Sequence, residues 1–413
     1  MTEPNKQSKI RRRQFMGKSA AAGLGALTAP AIFSSAGRVL GANDRMTMAI
    51  LGSGGRGRNV MSKMIRKCGV DFATVCDVYE PNVQKGLRVA GGDARGVRDY
   101  REALDQKNID AVLIASPDHQ HGPMLKAAVA ADKDAYCEKP MSHSIEEGLE
   151  MIKAVRQTDR IVQIGMQRRS SPTIHKAKEL LKECGDVYLV KAYWNWQWAQ
   201  PLDKKPLDGK LDWQGFLGPA PNVPFSPERY RMWRNFWDYS GGNCTDQGTH
   251  LMDVVQWFMG KGTPRAASCH GQVYAMIGAE TPDVFSATYD YDGYMATWTL
   301  DYVNAMDNGW NIQFLGSKAT LWLDNQGVRL YELEASGTTY SRTKKANVVK
   351  EIQEPLGDLE HIRNFVECCR TREQPNAPVE VGHSAVCAPH LANVAFHHKT
   401  QARLNKHATR VRV

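Results

Sequence analysis

The stretch "MTMAILGSGGRGRNVMSKMIRKCGVDFATVCD" (46–77) determines how the rest of the chain can fold. It opens on the apolar run 46–51, which predicts a buried strand. A glycine-rich turn follows at 52–57, and apolar residues then recur at helical spacing until Gly69, where we expect the helix to end. A second apolar run ends on Asp77. This order predicts a strand–turn–helix–strand unit of the kind that builds parallel sheets.

The turn has the spacing G-x-G-x-x-G, with glycines at 52, 54 and 57. Between a strand and a helix this spacing is typical of dinucleotide-binding sites. The first glycine permits a tight turn, the second lets the backbone approach a pyrophosphate, and the third lets helix and strand pack closely. Phosphate oxygens would then accept from N–H groups at the start of the helix. The candidate cofactor-binding residues of the turn are Gly52, Ser53, Gly54, Gly55, Arg56 and Gly57.

The acid at the end of the second strand bears on which dinucleotide binds. Asp77 follows Gly52 by 25 residues. A carboxylate there can accept from a ribose 2′-OH and repels a 2′-phosphate, so NAD is favoured over NADP. Arg56 and Arg58 are close enough in sequence to accommodate that phosphate, which keeps NADP as the less favoured alternative. Asp77 could instead cap a helix before Pro81.

Strands and helices continue to alternate up to about residue 167. Apolar runs at 111–116, 135–138 and 161–165 predict further strands. We therefore predict an N-terminal Rossmann domain, residues 43–167, with a doubly wound parallel sheet. Ligands bind such sheets beyond the carboxyl ends of the strands, which singles out the tips at 116–119 and 137–140.

The pattern changes after residue 170. Residues 187–198 alternate as one long strand, and 284–302 reads as a hairpin around Asp292-Gly293, a favoured turn dipeptide. Two more short strands are expected in 311–324. Consecutive hairpins predict an open, largely antiparallel sheet. We assign residues 168–400 to an α+β domain for substrate binding and oligomerisation, and 401–413 to a basic tail, so the fold class is α/β with two domains.

Tryptophans mark the long strand 187–198. Trp194, Trp196 and Trp198 are expected on one face, and Tyr193 and Asn195 on the other. A tryptophan stripe can stack on sugar rings, but sheet core or a subunit interface is the commoner role. An open sheet face that carries tryptophan favours a homodimer or homotetramer.

A second polar cluster lies in "GGNCTDQGTHLMDVVQWFMG" (241–260). Asp246 and His250 are four residues apart at the start of a predicted helix, so they face the same way. A carboxylate beside an imidazole can orient a substrate hydroxyl and move its proton. Asp253 could complete a metal triad, and a purely structural Asp–His pair is another alternative. We favour a site without metal.

The first 42 residues have the composition of an export signal. Three arginines (11–13) precede a mildly apolar stretch rich in Ala and Gly (19–33), and small residues follow. The order Arg12-Arg13-Gln14-Phe15-Met16 resembles a twin-arginine signal. We therefore expect a signal peptide at 1–42 and a periplasmic or otherwise exported protein. A basic tail is the alternative interpretation.

Charge and cysteine content exclude some classes of protein. The net charge is +9, but residues 1–42 hold seven basic residues and one acid, and without them it falls to +3. That value gives no reason to expect a nucleic-acid partner. No apolar run is long enough to span a bilayer. The nine cysteines include no C-x-x-C pair, which favours small buried hydrophobes over a disulfide framework or a zinc site.

Four motifs occur in the order of a known family. "GSGGRG" (52–57), Asp77, "EKP" (138–140) and D-x-G-x-H (246–250) resemble the glucose–fructose oxidoreductase/inositol dehydrogenase (Gfo/Idh/MocA) family, over about residues 45–400. The resemblance implies an NAD(P)-dependent oxidoreductase that acts on a sugar or polyol hydroxyl by hydride transfer. Its small-molecule substrate would be a carbohydrate.

The resemblance also implies roles for individual residues. Lys139 would lie beside the nicotinamide and help hold and deprotonate the reacting hydroxyl. Asp246 would position the substrate, and His250 would act as acid or base. The division of labour between Lys139 and His250 stays open. The other positions expected along the cofactor are Ser116, Pro117, His121, Glu138 and Gln167. Substrate specificity is expected from the strand and loop at 193–240, where the substrate-binding candidates are Tyr193, Asn195, Arg231 and Arg234.

Export constrains the reaction. Outside the cytoplasm there is no free nicotinamide pool, so we expect the cofactor to be tightly bound and recycled within the catalytic cycle. An NAD-dependent glycoside hydrolase or epimerase, which oxidises the sugar transiently, is the alternative. D-x-G-x-H resembles the dehydrogenase branch more closely. A dinucleotide-binding scaffold without activity is a third hypothesis. The particular sugar or polyol is left open.

Overall fold

The structure is a computed structural model that describes residues 45–306, 308–332, 347–354, 356–405 and 407–413. The expected signal peptide, 1–42, lies outside these ranges. In the described ranges no helix combines the length and the apolar character needed to cross a membrane.

The first half of the described chain forms a six-stranded parallel sheet in the order β3-β2-β1-β4-β5-β6. Its strands are β1 (Thr47–Leu51), β2 (Asp71–Cys76), β3 (Arg95–Val97), β4 (Ala111–Ile114), β5 (Asp134–Cys137) and β6 (Val162–Ile164). The helices between them are α1 (Gly55–Cys68), α2 (Glu80–Ala90), α3 (Tyr100–Leu104), α4 (Asp118–Ala130) and α5 (Ile145–Arg156). The strand order reverses between β1 and β4, which is where doubly wound sheets bind ligands. The predicted doubly wound sheet is confirmed.

Alternation along β1 explains why this sheet is buried on both faces. Ala49 and Leu51 belong to one apolar cluster, and Met48 and Ile50 belong to another on the opposite side. All four side chains are fully buried. A strand covered on both faces reads as a continuous apolar run, which is how it appears in the sequence.

The glycine turn brings two strand tips together. Gly52 has φ +93°, and a Cβ there would lie 2.6 Å from the Ser116 backbone nitrogen. A Cβ on Gly57 would clash with the Gly52 carbonyl oxygen. Both positions therefore need glycine, so that α1 can pack on β1 and the turn can lie against the end of β4.

The second sheet has ten strands in the order β14-β13-β12-β11-β7-β10-β9-β8-β15-β16. They are β7 (Val187–Asn195), β8 (Ala266–Gln272), β9 (Val284–Asp290), β10 (Met295–Asp301), β11 (Gly309–Gly316), β12 (Ala319–Asp324), β13 (Gly327–Glu332), β14 (Asn347–Ile352), β15 (Ala402–Leu404) and β16 (Val411–Arg412). Within the described ranges β7 and β10 pair in parallel, and every other pair of neighbouring strands in this sheet is antiparallel. The expected open, largely antiparallel sheet is confirmed, and the hairpin at Asp292-Gly293 joins β9 to β10.

Helices α6 (Pro172–Leu180), α9 (Gly242–Met259) and α11 (Val379–His398) cover one face of this sheet. The same half of the chain holds α10 (Leu359–Thr371), the short helices α7 (Trp213–Leu217) and α8 (Pro227–Arg231), and 3₁₀ turns at Gln167–Ser170, Leu181–Cys184 and Trp233–Asn235. Leu251 of α9, Leu391 of α11 and Trp298 of β10 lie in one apolar core with the inner residues of the sheet.

The tryptophan stripe is shorter than the alternating pattern suggested. Strand β7 ends at Asn195, and Trp194 is part of the core. Trp196 and Trp198 lie beyond the strand and pack edge-on against one another. Tyr188 is 66% exposed, although it shares its strand face with Trp194.

Two expectations about the C-terminal part need correction. Residues 401–413 are not only a tail, because Ala402–Leu404 and Val411–Arg412 extend the large sheet. Helix α10 packs on the first sheet, since Ile362 and Phe365 belong to the same buried cluster as Met48 and Ile50. Residues 168–400 thus build the core of the large sheet and also complete a core of the Rossmann part. All nine cysteines lie in the described ranges and are free, as expected from the absence of a disulfide pattern.

Gly248 in α9 provides a test of this packing. A Cβ there would lie 2.7 Å from Nε1 of Trp298, which donates to the Cys244 carbonyl oxygen at 3.2 Å. Overpacking of a close-packed core costs about 1–3 kcal/mol, so Gly248→Ala should lower the free energy of unfolding by that amount. Urea denaturation measures it. Gly262→Ala is the control, because its nearest neighbour would be at 3.7 Å, and equal stability of the two variants would contradict the packing described.

Candidate active site

A cavity of about 1040 Å³ lies at the carboxyl edge of the parallel sheet, at the top of the range of roughly 300–1,000 Å³ usual for small-molecule sites. Its walls come from the loops after β1, β2, β4 and β5, the segment 212–234, and the first turns of α9. The predicted site residues that line it are Gly52, Gly54, Gly55, Arg56, Asp77, Ser116, Pro117, Glu138, Lys139, Gln167, Arg234, Asp246 and His250.

The glycine turn leaves space for an anionic group. A Cβ on Gly54 or Gly55 would meet no atom within 4 Å, so the protein itself does not require glycine there. Helix α1 begins at this point without a side-chain cap and without an acid in its first turn. An uncapped helix N-terminus beside open space fits a pyrophosphate, which the backbone N–H groups would hold.

Unpaired polar atoms in the same wall also fit a polar cofactor. Ser116 Oγ and Gln167 Oε1 are buried and have no hydrogen-bond partner among the described residues. Each belongs to a residue that lines the cavity. Because buried polar groups are usually satisfied, these atoms are suited to bind a ligand with its own donors and acceptors. The residues present therefore fit a dinucleotide.

Asp77 closes the far end of the glycine turn. Its Oδ2 accepts from the Ser53 backbone N–H at 2.9 Å, and its Oδ1 accepts from the Tyr79 N–H at 2.9 Å. Helix α2 is capped at Tyr79, so Asp77 is not its cap residue. Each carboxylate oxygen can accept a further bond, and a ribose 2′-OH is the donor expected there. Burial raises the pKa of Asp77 to about 6, against the lowering effect of these hydrogen bonds.

Arg56 connects the turn to the "EKP" segment. Its Nε donates to Glu138 at 2.7 Å, and its Nη1 donates to Asp358 at 2.7 Å. Lys63 also contacts Asp358. Two of the three guanidinium nitrogens are thus used by carboxylates, and the group also interacts with the buried Tyr136 hydroxyl, so Arg56 is fixed inside the protein.

The centre of the site is a three-way contact on one carboxylate. Lys139 Nζ donates to Oδ1 of Asp246 at 2.8 Å and to the Asp246 carbonyl oxygen at 2.9 Å. Arg234 Nε lies 3.2 Å from the same Oδ1. Gln247 Nε2 donates to the other oxygen, Oδ2, at 3.1 Å. Lys139 and Asp246 are nearly buried, whereas the Arg234 side chain is 44% exposed.

These cations fix the protonation of the two groups on α9. Burial alone would raise the pKa of Asp246, but Arg234 and Lys139 outweigh it and hold that pKa well below its ordinary value. Burial lowers the pKa of His250 well below its ordinary value, and the charges of Lys139 and Arg168 lower it further. At neutral pH the site therefore holds an ionised Asp246 beside a neutral His250, which can accept a proton.

Sequence reasoning gave no role to one acid of this cavity. Asp118, in the first turn of α4, is 1% exposed and accepts from Ser240 Oγ at 2.7 Å. Helix α4 begins at Asp118, and its first turn is polar yet buried, so an apolar pattern does not reveal it. The signal for this acid was its place directly after β4, within the strand tip 116–119.

Three of the expected cofactor-binding residues do not line the cavity. His121 is buried, and its ring nitrogens lie 2.7 Å from the Pro140 carbonyl oxygen and 2.9 Å from that of Ser116, so it bridges two wall loops. Ser53 is buried behind the turn, where its Oγ donates to the Asn82 carbonyl oxygen at 2.6 Å. Gly57 acts through packing alone.

Tyr193 and Asn195 lie on the sheet face opposite to Trp194, as strand alternation requires. That face is turned away from α9, which carries Asp246 and His250. The Asn195 side-chain amide donates to the Met306 carbonyl oxygen at 2.9 Å. The structure therefore does not bring these two substrate-binding candidates to the cavity. Arg231 lines the wall, but its guanidinium is taken up by carbonyl oxygens of Lys205 and Pro206.

Asp253 does not complete a metal triad. It forms an ion pair with Arg169, whose Nη2 and Nε both donate to Oδ1 of Asp253, at 2.6 Å and 2.9 Å. In the part of the chain that the structure describes, no group of three or more His, Cys, Asp or Glu side chains is arranged to hold a metal.

Two family models match the chain. Residues 46–166 match an oxidoreductase family with an NAD-binding Rossmann fold, and residues 184–280 match the C-terminal alpha/beta domain of the same family. Together these matches span more than half of the chain. The first sheet with its glycine turn is thus an NAD-binding Rossmann domain.

Curated relatives match over shorter parts. The uncharacterized oxidoreductase YrbE of Bacillus subtilis (strain 168) is 29% identical over 205 residues, 49% of this chain and 49% of the relative. An inositol 2-dehydrogenase of Salmonella typhimurium is 29% identical over 120 residues, 29% of this chain and 35% of the relative. The chain thus matches half of the length of these relatives or less.

Solved structures share the whole fold. A levoglucosan dehydrogenase in complex with NADH and L-sorbose has a TM-score of 0.68 at 15% identity and covers 87% of this chain and 98% of its own. The WlbA dehydrogenase from Bordetella pertussis, in complex with NADH and UDP-GlcNAcA, has a TM-score of 0.66 at 18% identity, with coverage of 87% and 99%. At these identities the likeness concerns the fold.

The Asp77 carboxyl gives a prediction about cofactor affinity. Its pKa of about 6 means that it is ionised above that pH and protonated below it. An ionised acceptor binds the 2′-OH more strongly, so NAD affinity should fall about five- to tenfold between pH 7.5 and 5. Calorimetric titration of cofactor-free protein measures this. Asp77→Asn should bind NAD more weakly and without this pH dependence, and a wild-type affinity that is flat across the range would refute the assignment.

Proposed function

Because the chain belongs to the Gfo/Idh/MocA oxidoreductase family, we propose that it oxidises a hydroxyl group of a sugar or polyol with NAD as hydride acceptor. The observation that carries this proposal is the Lys139–Asp246 ion pair in the same cavity as the glycine turn and the neutral His250. A carbohydrate substrate is supported by the inositol 2-dehydrogenases among the chain's relatives. It is also supported by similar folds solved in complex with L-sorbose or UDP-GlcNAcA.

The reaction needs a proton acceptor beside the reacting oxygen. Bound NAD⁺ supplies a hydride acceptor. As the C–H hydrogen leaves with its electron pair, the O–H proton must move to a base, and the carbon–oxygen bond becomes a carbonyl. His250 is neutral and lines the cavity, so it can take that proton. Lys139 donates a hydrogen bond to the same oxygen and stabilises the negative charge that develops on it.

Asp246 positions both Lys139 and the substrate. It holds the Lys139 ammonium through Oδ1 and through its own carbonyl oxygen, which fixes where that cation points. Its Oδ2 accepts from Gln247 and can accept from a second substrate hydroxyl. Its negative charge also favours the proton on His250 once transfer has occurred, because the two groups attract.

NAD is proposed in preference to NADP. Both carboxylate oxygens of Asp77 accept from backbone N–H groups, and the residue is 8% exposed at the cavity wall. A 2′-phosphate at that point would meet a carboxylate with which it cannot pair. Arg56 is held by Glu138 and Asp358, and Arg58 contacts the Ser53 carbonyl oxygen, so neither arginine is free to compensate.

Export, recycling and assembly belong to the same proposal. The twin-arginine pattern at 12–16 supports export of a chain folded around its cofactor, and a cofactor that cannot be exchanged must be regenerated in the cycle. The open outer face of the ten-stranded sheet supports a homodimer or homotetramer. We keep residues 43–167 as the NAD-binding domain and 168–400 as the part that adds the substrate site and this sheet.

Lys139→Met tests the catalytic assignment. It should retain NAD, because the glycine turn and Asp77 are unchanged, but it should lower kcat by about 10²–10⁴ for the best sugar or polyol substrate. Turnover is followed at 340 nm, and NAD content is measured after denaturation. Lys126→Met is the control, since that lysine pairs with Glu150 on the surface. A Lys139 variant with wild-type kcat would exclude the proposed role.

A second prediction concerns the resident cofactor. Protein purified by ion exchange and gel filtration should contain about one NAD(H) per chain, and dialysis overnight should not remove it. Mass spectrometry of the denatured sample measures the content. Complete loss on dialysis, with turnover that requires added NAD, would contradict recycling. Release of a free sugar without net NAD reduction would instead favour the hydrolase or epimerase alternative over net oxidation.

A further inference from the structure

Arg234 presents an unused charged edge to the cavity. Its Nε contacts Asp246, and its guanidinium lies 4.2 Å from the ring centroid of Trp233, which fixes the plane of the group. Among the described residues, its Nη1 and Nη2 have no hydrogen-bond partner, and the side chain is 44% exposed into the cavity that it lines. A guanidinium edge with two parallel donors matches a carboxylate.

The Nη1/Nη2 edge has no carboxylate of its own. Lys139 and Arg234 both contact the carboxylate of Asp246, and Arg234 does so through Nε. Asp118 is the other acid in this part of the wall, but its carboxylate accepts from Ser240 Oγ. Glu138 and Arg231 are already paired, with Arg56 and Asp203 respectively. A charged edge that loses water when a ligand binds needs a partner, which the ligand would have to bring.

We propose that the substrate is a sugar acid, whose carboxylate binds the Nη1/Nη2 edge of Arg234 while its reacting hydroxyl lies at Lys139. This inference rests on the proposed function and names the substrate class of the same site. Because Lys139 and Arg234 contact one oxygen of Asp246, the two functional groups must be a few bonds apart on one small molecule.

The single guanidinium favours a carboxylate over a phosphate. A carboxylate is a monoanion, which matches the one charge of Arg234. A phosphate monoester carries about −1.5 to −2 at neutral pH and would leave negative charge unpaired beside Asp246. A neutral sugar would leave the guanidinium edge bound to water alone.

The experiment compares matched substrate pairs on the NAD-loaded enzyme. The pairs are D-glucuronate with D-glucose, D-galacturonate with D-galactose, and D-gluconate with sorbitol, and D-glucose 6-phosphate tests the phosphate. Reduction of bound NAD is followed at 340 nm. In parallel, calorimetry measures binding of each compound to NADH-loaded enzyme. We expect the acid of at least one pair to be preferred by roughly 10- to 100-fold, the effect of one charge-assisted hydrogen-bonded pair.

Arg234→Gln should remove that preference. We expect its KM for the acid to rise by roughly 10- to 100-fold more than its KM for the neutral partner, which loses only the support that Arg234 gives to Asp246. Arg234→Lys keeps the charge but not the two-donor edge, so its preference for the acid should lie between those of the wild type and Arg234→Gln. If the Gln variant does not fold, the Lys variant carries the test. Arg66→Gln, an exposed arginine on α1, makes the same change in net charge and should keep the preference.

Three results would overturn the inference: wild-type preference for the neutral partner of every pair, preference for the phosphate, or an equal loss for acid and neutral substrates in Arg234→Gln, which a purely structural role predicts. The proposed function fails separately. If acids bind in an Arg234-dependent way but no compound reduces bound NAD, the sugar-acid site stands and the redox proposal falls. If only neutral compounds reduce NAD, the reverse holds.

Discussion

The ion pair between Lys139 and Asp246 is the contact on which the rest of the site depends. Lys139 follows β5 at the edge of the parallel sheet, and Asp246 lies on α9, which packs on the antiparallel sheet. The pair therefore joins the cofactor side of the cavity to the substrate side. Loss of one partner from a nearly buried pair leaves the other charge uncompensated, which costs about 3–5 kcal/mol in comparable cases.

The same pair sets the protonation of its neighbours. Arg234 and Lys139 keep Asp246 ionised. Burial and the charge of Lys139 keep His250 neutral, so that a proton acceptor lies in the same site as a fixed cation. Separating two titratable groups by their environments in this way is how a site obtains an acid and a base at one pH. The close packing of Gly248 on Trp298, between these two residues along α9, holds both side chains towards the cavity.

Much of this arrangement could be predicted from the sequence because it depends on local spacing. The glycine turn, Asp77 and the alternation of strands and helices are local patterns, and they predicted the parallel sheet. The separation of Asp246 and His250 by one helical turn placed them on one face. Positions such as Lys139 were assigned by resemblance, and only the fold shows that Lys139 and Asp246, 107 residues apart, are in contact.

The errors came from side chains whose environment is set by distant residues. His121 was expected beside the cofactor, yet it is held between two carbonyl oxygens behind the wall. Tyr193 and Asn195 were chosen as candidates within the strand and loop at 193–240, but which face of β7 meets the cavity depends on where α9 packs. Asp118 was overlooked because a buried polar first turn gives no apolar period.

A double-mutant cycle on Lys139 and Asp246 tests the proposed joint action of the pair most directly. kcat/KM is measured for wild type, Lys139→Met, Asp246→Asn and the double variant with the best substrate, and NAD content is checked in each. If the two residues act as one unit, the double variant should lose no more than about tenfold beyond the more damaging single change. Losses that multiply, as for independent residues, would contradict the claim that this pair holds the reacting hydroxyl.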